Sequence, residues 1–365
     1  MATKRIDQVI PTFAGRDAIG SHSLEVRQLL RDAGYASNIY YLNSTADVSG
    51  LGAGISAMPA KPGRDDWLLY QLSIGSPAAE MLSSRSESLL VNYHNITPAS
   101  LLEQWEPAVA VEVAEGRQQM QALAARTKLA VADSAFNEGE LQEAGYGSTA
   151  VAPILFDPRS FGARADPATV ERLGEMRSHG GADLLFVGKI SPHKAEHDLV
   201  KALAVYRRTY DPRARLHLVG SPLGSTYPRA LDRFIARLGL RGAVEVTGSL
   251  TGEQLAAYYA CADVFVCASD HEGFCVPLVE AMHHGLPAVA YAAAAVPETL
   301  GDAGLLVELP KDASLFAAGV HKVISDGALR SSLIENCRTR LESYSLERAR
   351  ETFLDVVRSA VGDPW

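Results

Sequence analysis

Leu184-Leu-Phe-Val-Gly188, followed at once by Lys189-Ile-Ser-Pro-His-Lys194, is the stretch on which the fold turns. Its apolar residues run without alternation, so a strand here is buried on both faces, as in a parallel sheet covered by helices. Five more short runs repeat the pattern at Leu216–Gly220, Val244–Gly248, Val264–Ala268, Ala288–Tyr291 and Leu305–Val307. Helical patterns at His197–Thr209, Tyr227–Leu238, Gly252–Cys261 and Pro277–His284 lie between them. This alternation predicts a doubly wound α/β domain over residues 181–345.

The first half repeats the theme more loosely. Strands are expected near Ile6–Phe13, Ser37–Leu42, Leu68–Leu72, Ser88–Tyr93, Leu129–Ala132 and Thr149–Pro153, with a first helix at Ser21–Ala33 after a loop carrying Gly15 and Gly20. Residues 1–157 therefore read as a second Rossmann-like domain. Residues 158–180, with Pro158, Pro167 and several glycines, read as the linker, with one helix at Ala168–Arg177. The last segment, 346–365, holds an amphipathic helix, Leu346–Ala360, expected to pack back onto the first domain. Two domains joined once leave a central cleft, and ligands of open parallel sheets bind at the carboxyl ends of the strands facing it.

A chain of 365 residues suits two domains better than one core. A formal charge of −9 and the lack of a dense Lys/Arg patch argue against nucleic acid as a partner. No run reaches membrane-spanning length, and no basic amphipathic helix argues for lipid docking; peripheral membrane contact and oligomeric state stay open. Cysteines 261, 267, 275 and 337 form no CxxC pair and read as buried free thiols of a reducing compartment. Met1–Ile10 enters a strand-like run without the apolar core of a signal peptide, so a cytoplasmic location is expected.

Chemistry concentrates at two places. Lys189 and Lys194 lie in the loop at a strand's carboxyl end, where two cations facing two phosphoryl groups would stabilise the charge that builds as a diphosphate leaves. At an effective dielectric near 20, one such pair at about 4 Å is worth on the order of 4 kcal/mol. Glu272 and Glu280 flank Pro277, a residue suited to the first helical position, so Glu280 falls on the helix and Glu272 in the loop before it. The loop amides between them would favour a bound phosphate. Two carboxylates here also fit compensation of the helix dipole, or an acid/base pair across a glycosidic bond. Their placement on either side of the turn fits capture of two parts of one ligand better. His271, His283 and His284 lack the spacing of a zinc site, so no metal is expected.

The run His271-Glu-Gly-Phe-Cys-Val-Pro-Leu-Val-Glu-Ala-Met282, preceded by Val187-Gly-Lys-Ile-Ser-Pro-His-Lys194, resembles the retaining glycosyltransferases of family 4. The likeness continues through Gly285-Leu-Pro287, Val296-Pro-Glu-Thr299 and Gly301-Asp-Ala-Gly-Leu-Leu-Val307, covering nearly all of residues 181–340. It implies a GT-B fold, two Rossmann-like doubly wound domains facing a central cleft, with no cofactor beyond the nucleotide-sugar co-substrate. By that resemblance Lys194 binds the donor diphosphate, and Lys189 stands where the family usually has Arg, keeping the charge but losing the bidentate fork. Glu280 holds the ribose. Glu272 binds a hydroxyl of the transferred sugar, assisted by backbone at Gly273, Phe274, Cys275 and Val276. Gly188 lies at the phosphate loop, and Leu250, within Thr247–Thr251, lines the base.

The first domain resembles the family more weakly. Asn92-Tyr-His-Asn95 places His94 near the sugar and its developing charge, the loop Gly15–His22 puts Gly20 near the donor phosphates, and Ser134 is expected to face the cleft. For His94 a hydrogen-bonded structural role is the alternative, and for Gly20 a plain helix-start turn. Val187–Leu199, Tyr93–Pro98 and Gln71–Ser76 look most like bacterial mannosyltransferases of polysaccharide synthesis, tilting the donor to GDP-mannose with a UDP-hexose such as UDP-glucose behind it. The implied reaction is hexose transfer to a saccharide or glycoconjugate hydroxyl with retention. A nucleotide-sugar epimerase and a non-catalytic sensor are the rival readings.

Overall fold

The computed structural model describes residues 4–15, 17–63, 65–157 and 164–362. The chain divides into two compact units, one of Met1–Ala99, Ala108–Phe156 and Ser345–Trp365, the other of Ser100–Pro107 and Asp157–Tyr344. Among the described residues each unit holds one sheet, and all its named pairings are parallel.

In the first unit the chain runs β1 (Ile6–Phe13), α1 (Ala18–Asp32), β2 (Ile39–Ser44), β3 (Ala53–Gly54), β4 (Trp67–Leu72), α2 (Pro77–Ser84), β5 (Ser88–Tyr93), α3 (Pro107–Ala124), β6 (Thr127–Ala132), α4 (Ala135–Glu143) and β7 (Thr149–Val151). The sheet order is β3-β2-β1-β4-β5-β6-β7. β1 is buried except at Thr12, as a strand covered on both faces requires. The two-residue β3 was not expected, because it carries no apolar run; it pairs at the edge with Tyr40 and Tyr41.

α1 begins at Ala18 rather than Ser21, because the Asp17 carboxylate accepts the Gly20 amide at 2.6 Å and caps the helix. Gly20 thus sits inside the first turn, not in a loop ahead of it. A Cβ there would lie 1.7 Å from the Ala14 carbonyl oxygen, so the turn closes on the incoming chain only with glycine. Arg16 of that loop lies outside the described residues.

The second unit runs α5 (Pro167–Ser178), β8 (Asp183–Val187), α6 (Glu196–Thr209), β9 (Arg215–Val219), α7 (Thr226–Arg237), β10 (Val244–Gly248), α8 (Gly252–Cys261), β11 (Val264–Cys267), α9 (Val276–His283), β12 (Ala288–Tyr291), α10 (Val296–Leu300), β13 (Gly304–Val307), α11 (Ala313–Ser325) and α12 (Gly327–Ser343). Its sheet order, β10-β9-β8-β11-β12-β13, makes β8 and β11 neighbours although β9 and β10 lie between them in the chain. The loops that leave their carboxyl ends are therefore adjacent.

Two assignments differ from the sequence reading. α5 falls in the expected linker, yet Leu173 is buried with Leu185 and Tyr258, and Arg172 bonds Glu245 at 3.1 Å and Tyr258 at 2.5 Å. It belongs to the second unit; residues 158–163 of the same segment lie outside the described residues. Ser100–Pro107, expected in the first domain, also belongs to the second unit. The Trp105 ring meets Tyr227 edge-on at 5.8 Å, and the Glu106 carboxylate accepts the Thr226 and Tyr227 amides at 3.0 and 3.2 Å, capping α7. Finally, α13 (Leu346–Val361) is part of the first unit, its stripe of Ala349, Phe353, Val357 and Val361 buried with Ile6, Leu30, Leu69 and Leu90. Residues 363–365 lie outside the described residues. No described helix is long and apolar enough to cross a membrane.

Candidate functional site

Lys194 ends the short 3-10 turn Pro192–Lys194 beyond β8, and Glu272 lies in the loop between β11 and α9. Sheet order brings them together: Lys194 Nζ stands 2.6 Å from Glu272 Oε1. A backbone tie fixes the same approach, the Asp270 amide donating to the His193 carbonyl at 2.7 Å. Glu272 Oε1 also accepts the Ser269 hydroxyl at 2.7 Å. Burial alone would push the lysine's pKa down, but the Glu272 carboxylate outweighs it and the net shift is upward. Two residues expected to grip different parts of a ligand are thus paired with each other.

Glu280 occupies the second turn of α9, buried, and its Oε2 accepts the Tyr259 hydroxyl at 2.6 Å. Burial raises its pKa to about 6. The Tyr259 ring is itself stacked on His284, centroids 5.0 Å apart, so the hydroxyl is held in place from two sides. Between the glutamates the chain makes a forced turn. Cys275 adopts φ 69 and ψ 61, and as the N-cap of α9 it makes no side-chain capping hydrogen bond. Pro277 follows at the helix start, where a missing N–H costs nothing. Phe274 is buried edge-on against Tyr344 at 5.2 Å, and its carbonyl accepts the Thr299 hydroxyl, so this residue is anchored by packing. The backbone of Gly273–Val276 leads from Glu272 into α9.

Lys189 is exposed, one residue past Gly188. Gly188 donates its amide to Val219 at 2.9 Å, and a Cβ on Gly220 would lie 1.8 Å from the Gly188 carbonyl oxygen. The loop after β8 therefore rests directly on the end of β9. Leu250 is half-buried against the core between β10 and α8.

Two participants were not read from the sequence. Lys311, after β13, bonds Asp270 Oδ1 at 2.5 Å, Asp198 Oδ2 at 3.2 Å and the Ala268 carbonyl at 2.6 Å. It clamps the loop that carries Glu272 to α6. Glu196, fully buried at the start of α6, accepts the Ser191 amide at 3.1 Å and the Tyr227 hydroxyl at 2.9 Å, and burial raises its pKa to about 8. A single lysine after Leu309-Pro310 carries no motif; the only signal for Glu196 was its place two residues beyond Lys194.

The first-unit candidates have different surroundings. His94 is the centre of a buried network, with Nδ1 2.8 Å from Asp133 Oδ2 and Nε2 2.7 Å from Gln71 Oε1. Gln71 donates onward to Gln8 at 2.7 Å, and Gln8 to the Ser23 carbonyl at 3.0 Å, which fixes the direction of both amides. Both ring nitrogens of His94 thus lie within hydrogen-bond distance of protein oxygens. His22 lies beside it, ring centroids 5.0 Å apart; burial holds its pKa well below the usual histidine range, and its Nδ1 accepts the Leu155 amide at 2.9 Å. Ser134 is the N-cap of α4, accepting the Asn137 amide at 3.1 Å. Gly20, as described, closes the first turn of α1.

Residues 175–340 match the family of glycosyl transferases group 1. Among curated relatives, a D-inositol 3-phosphate glycosyltransferase of Geodermatophilus obscurus is 31% identical over 253 residues, 67% of this chain and 55% of that protein. One from Nocardioides is 32% identical over 194 residues, 49% of this chain and 42% of the relative. The chain thus spans about half the length of the curated relatives it matches. Among solved structures, Anabaena Alr3699/HepE in complex with UDP and glucose superposes with a TM-score of 0.76 at 18% identity, covering 98% of this chain and 100% of that one. Sucrose-phosphate synthase of Thermosynechococcus elongatus gives 0.73 at 19% identity, covering 99% and 100%. The fold is that of GT-B glycosyltransferases, with two parallel-sheet Rossmann-like domains.

Proposed function

We propose that this chain, which carries a glycosyl transferases group 1 domain at residues 175–340, moves a hexose from a nucleoside-diphosphate sugar to a hydroxyl of a saccharide or glycoconjugate. The observation that carries the reading is the Lys194–Glu272 pair at the joined ends of β8 and β11, directly ahead of the start of α9. On donor binding the diphosphate takes the Lys194 ammonium, and a sugar hydroxyl takes the Glu272 carboxylate in its place. Each charged group exchanges one partner for another, so neither is left buried and alone. Glu280 accepts the ribose hydroxyls while Tyr259 orients it. Lys189, free to swing at the surface, adds charge to the leaving diphosphate.

No carboxylate of this constellation stands apart as a nucleophile, since Glu272 and Glu280 are both assigned to holding the donor. Retention then follows a front-face course, in which the departing diphosphate oxygen takes the acceptor proton. The side-chain cations and the α9 amides supply the stabilisation that a metal ion would otherwise give. For the donor, the sequence resemblance favours GDP-mannose, whereas UDP with glucose is what the HepE structure contains. Both are carried as donors to be compared, with UDP-glucose tested first.

The experiment is nucleoside diphosphate release from GDP- and UDP-hexoses, with and without mono- and oligosaccharide acceptors. Acceptor-dependent release that falls at least about a hundredfold in Lys194→Ala supports the reading. Donor binding with no release under any acceptor supports a sensor instead, and full activity in Lys194→Ala removes the assignment.

A further inference from the structure

Beside the Lys194–Glu272 pair stand two thiols that the reaction above does not use. Cys267, last residue of β11, and Cys275, at the mouth of α9, bring their sulfurs within 4.8 Å of one another and of a Glu272 carboxylate oxygen. All three side chains are buried, at 2%, 6% and 8% exposure. We propose that Cys267, Glu272 and Cys275 form a binding site for a thiophilic divalent cation, Zn2+ or Cd2+, and that its occupancy blocks the donor site. The blockade rests on the donor reading of Glu272; the metal site does not.

The donor set fits the ion. Tetrahedral zinc takes thiolate at about 2.3 Å and carboxylate at about 2.0 Å, which separates neighbouring ligand atoms by roughly 3.5–3.8 Å. Closing from 4.8 Å requires about 1 Å of side-chain rotation, not a backbone rearrangement. The backbone on both sides is fixed: Cys267 by the β11–β12 pairing with Ala290, and Cys275 by the left-handed turn that launches α9.

Charge also balances. Two thiolates and one carboxylate around a divalent ion leave one negative charge, and the Lys194 ammonium 2.6 Å from Glu272 cancels it. A buried site of zero net charge avoids the desolvation penalty that an isolated ion would meet. Ser269, whose hydroxyl lies 3.5 Å from the Cys267 sulfur and donates to Glu272 at 2.7 Å, links the ligands as an outer partner. Binding exchanges two thiol protons for the cation, and both protons go to solvent. With Glu272 ligated and Cys275 pulled inward, the loop from Glu272 into α9 is no longer available to a sugar and its diphosphate.

The test uses the whole chain kept reduced with a phosphine. Zn2+ is titrated against a chromophoric chelator, and Cd2+ is followed by thiolate-to-metal charge-transfer absorption. One ion per chain is expected, with affinity falling about a hundredfold or more in Cys267→Ala and in Cys275→Ala, while Cys261→Ser and Cys337→Ser bind as the parent does. Circular dichroism and thermal melting confirm that each variant is folded. Absence of stoichiometric binding in the parent, or binding unchanged in both alanine variants, overturns the site. One bound Zn2+ with undiminished nucleoside diphosphate release overturns the blockade alone. Absence of both donor binding and release in metal-free protein overturns the donor reading and leaves the metal site standing.

Discussion

Glu280 shows how burial tunes a single carboxylate. Its pKa is raised by burial to about 6 from 4.5, so folding favours the neutral form. The sign follows: the folded state suffers no penalty below about pH 4.5 and loses stability as pH rises through 6, by about 2 kcal/mol at 1.36 kcal/mol per unit. Glu280→Gln removes that dependence. Urea unfolding of both proteins at pH 4.5 and pH 7.5 is expected to show the variant gaining about 2 kcal/mol relative to the parent at the higher pH, while donor affinity falls through loss of the ribose contact. A stability difference that stays constant with pH would remove the assigned shift. Gly220 makes the complementary case of shape: a Cβ 1.8 Å from the Gly188 carbonyl cannot be relieved by rotating a side chain. Gly220→Ala is expected to lower the melting temperature by at least several degrees, and an unchanged melting curve would mean that the loop after β8 is not seated on β9 as described.

At the scale of elements, the candidate site is made where two loops are fastened together. The Asp270–His193 backbone bond and Lys311 do the fastening, and Lys311 reaches across from the end of β13 to Asp270, Asp198 and the Ala268 carbonyl. Its ammonium also lies 5.6 Å from the Tyr291 ring centroid, so cation–π attraction adds to the ion pairs. Lys311→Met keeps much of the side-chain volume and removes the charge. It is expected to cut kcat/KM for nucleoside diphosphate release about tenfold or more with a melting temperature lowered by only a few degrees, because it positions Glu272 without touching the donor. A large stability loss with unchanged kinetics in the folded fraction would make Lys311 structural only. The helix ends follow local chemistry legible in the chain: Thr251 and Gln254 form the capping box of α8, and Asp312 and Asp326 cap α11 and α12.

For the molecule as a whole, chain order and spatial unit do not coincide. The first unit is completed only by α13, whose Phe353 and Val357 are fully buried among residues of β1, α1, β4 and β5. Phe353→Ala is expected to cost about 3–5 kcal/mol in urea unfolding, a large aromatic lost from a closed core. Deleting residues 345–365 is expected to leave the first unit unable to fold, seen as lost amide protection across β1 and β4 in hydrogen exchange, and native protection in the shortened chain would contradict the assignment. Arg350, bonded to Glu25 at 3.0 Å and Asp32 at 2.8 Å, contributes little by comparison, since those contacts are partly exposed.

Every strand but the two-residue β3 and the parallel character of both sheets were legible in the sequence, which also singled out Lys194, Glu272 and Glu280. They rest on local facts: a short unbroken apolar run closed by a turn residue fits a strand covered on both faces, and a proline ahead of an apolar helix marks its start. Tertiary structure alone decided which of those residues meet. Lys194 and Glu272 are 78 positions apart, Lys311 and Asp198 113 apart, and they touch because β11 inserts beside β8 in the sheet. The seat of Ser100–Pro107 on α7 and the protein partners of His94 likewise join residues distant in the chain. Periodicity reports which face a residue presents, whereas strand order, set by packing of the whole sheet, fixes what that face finds opposite.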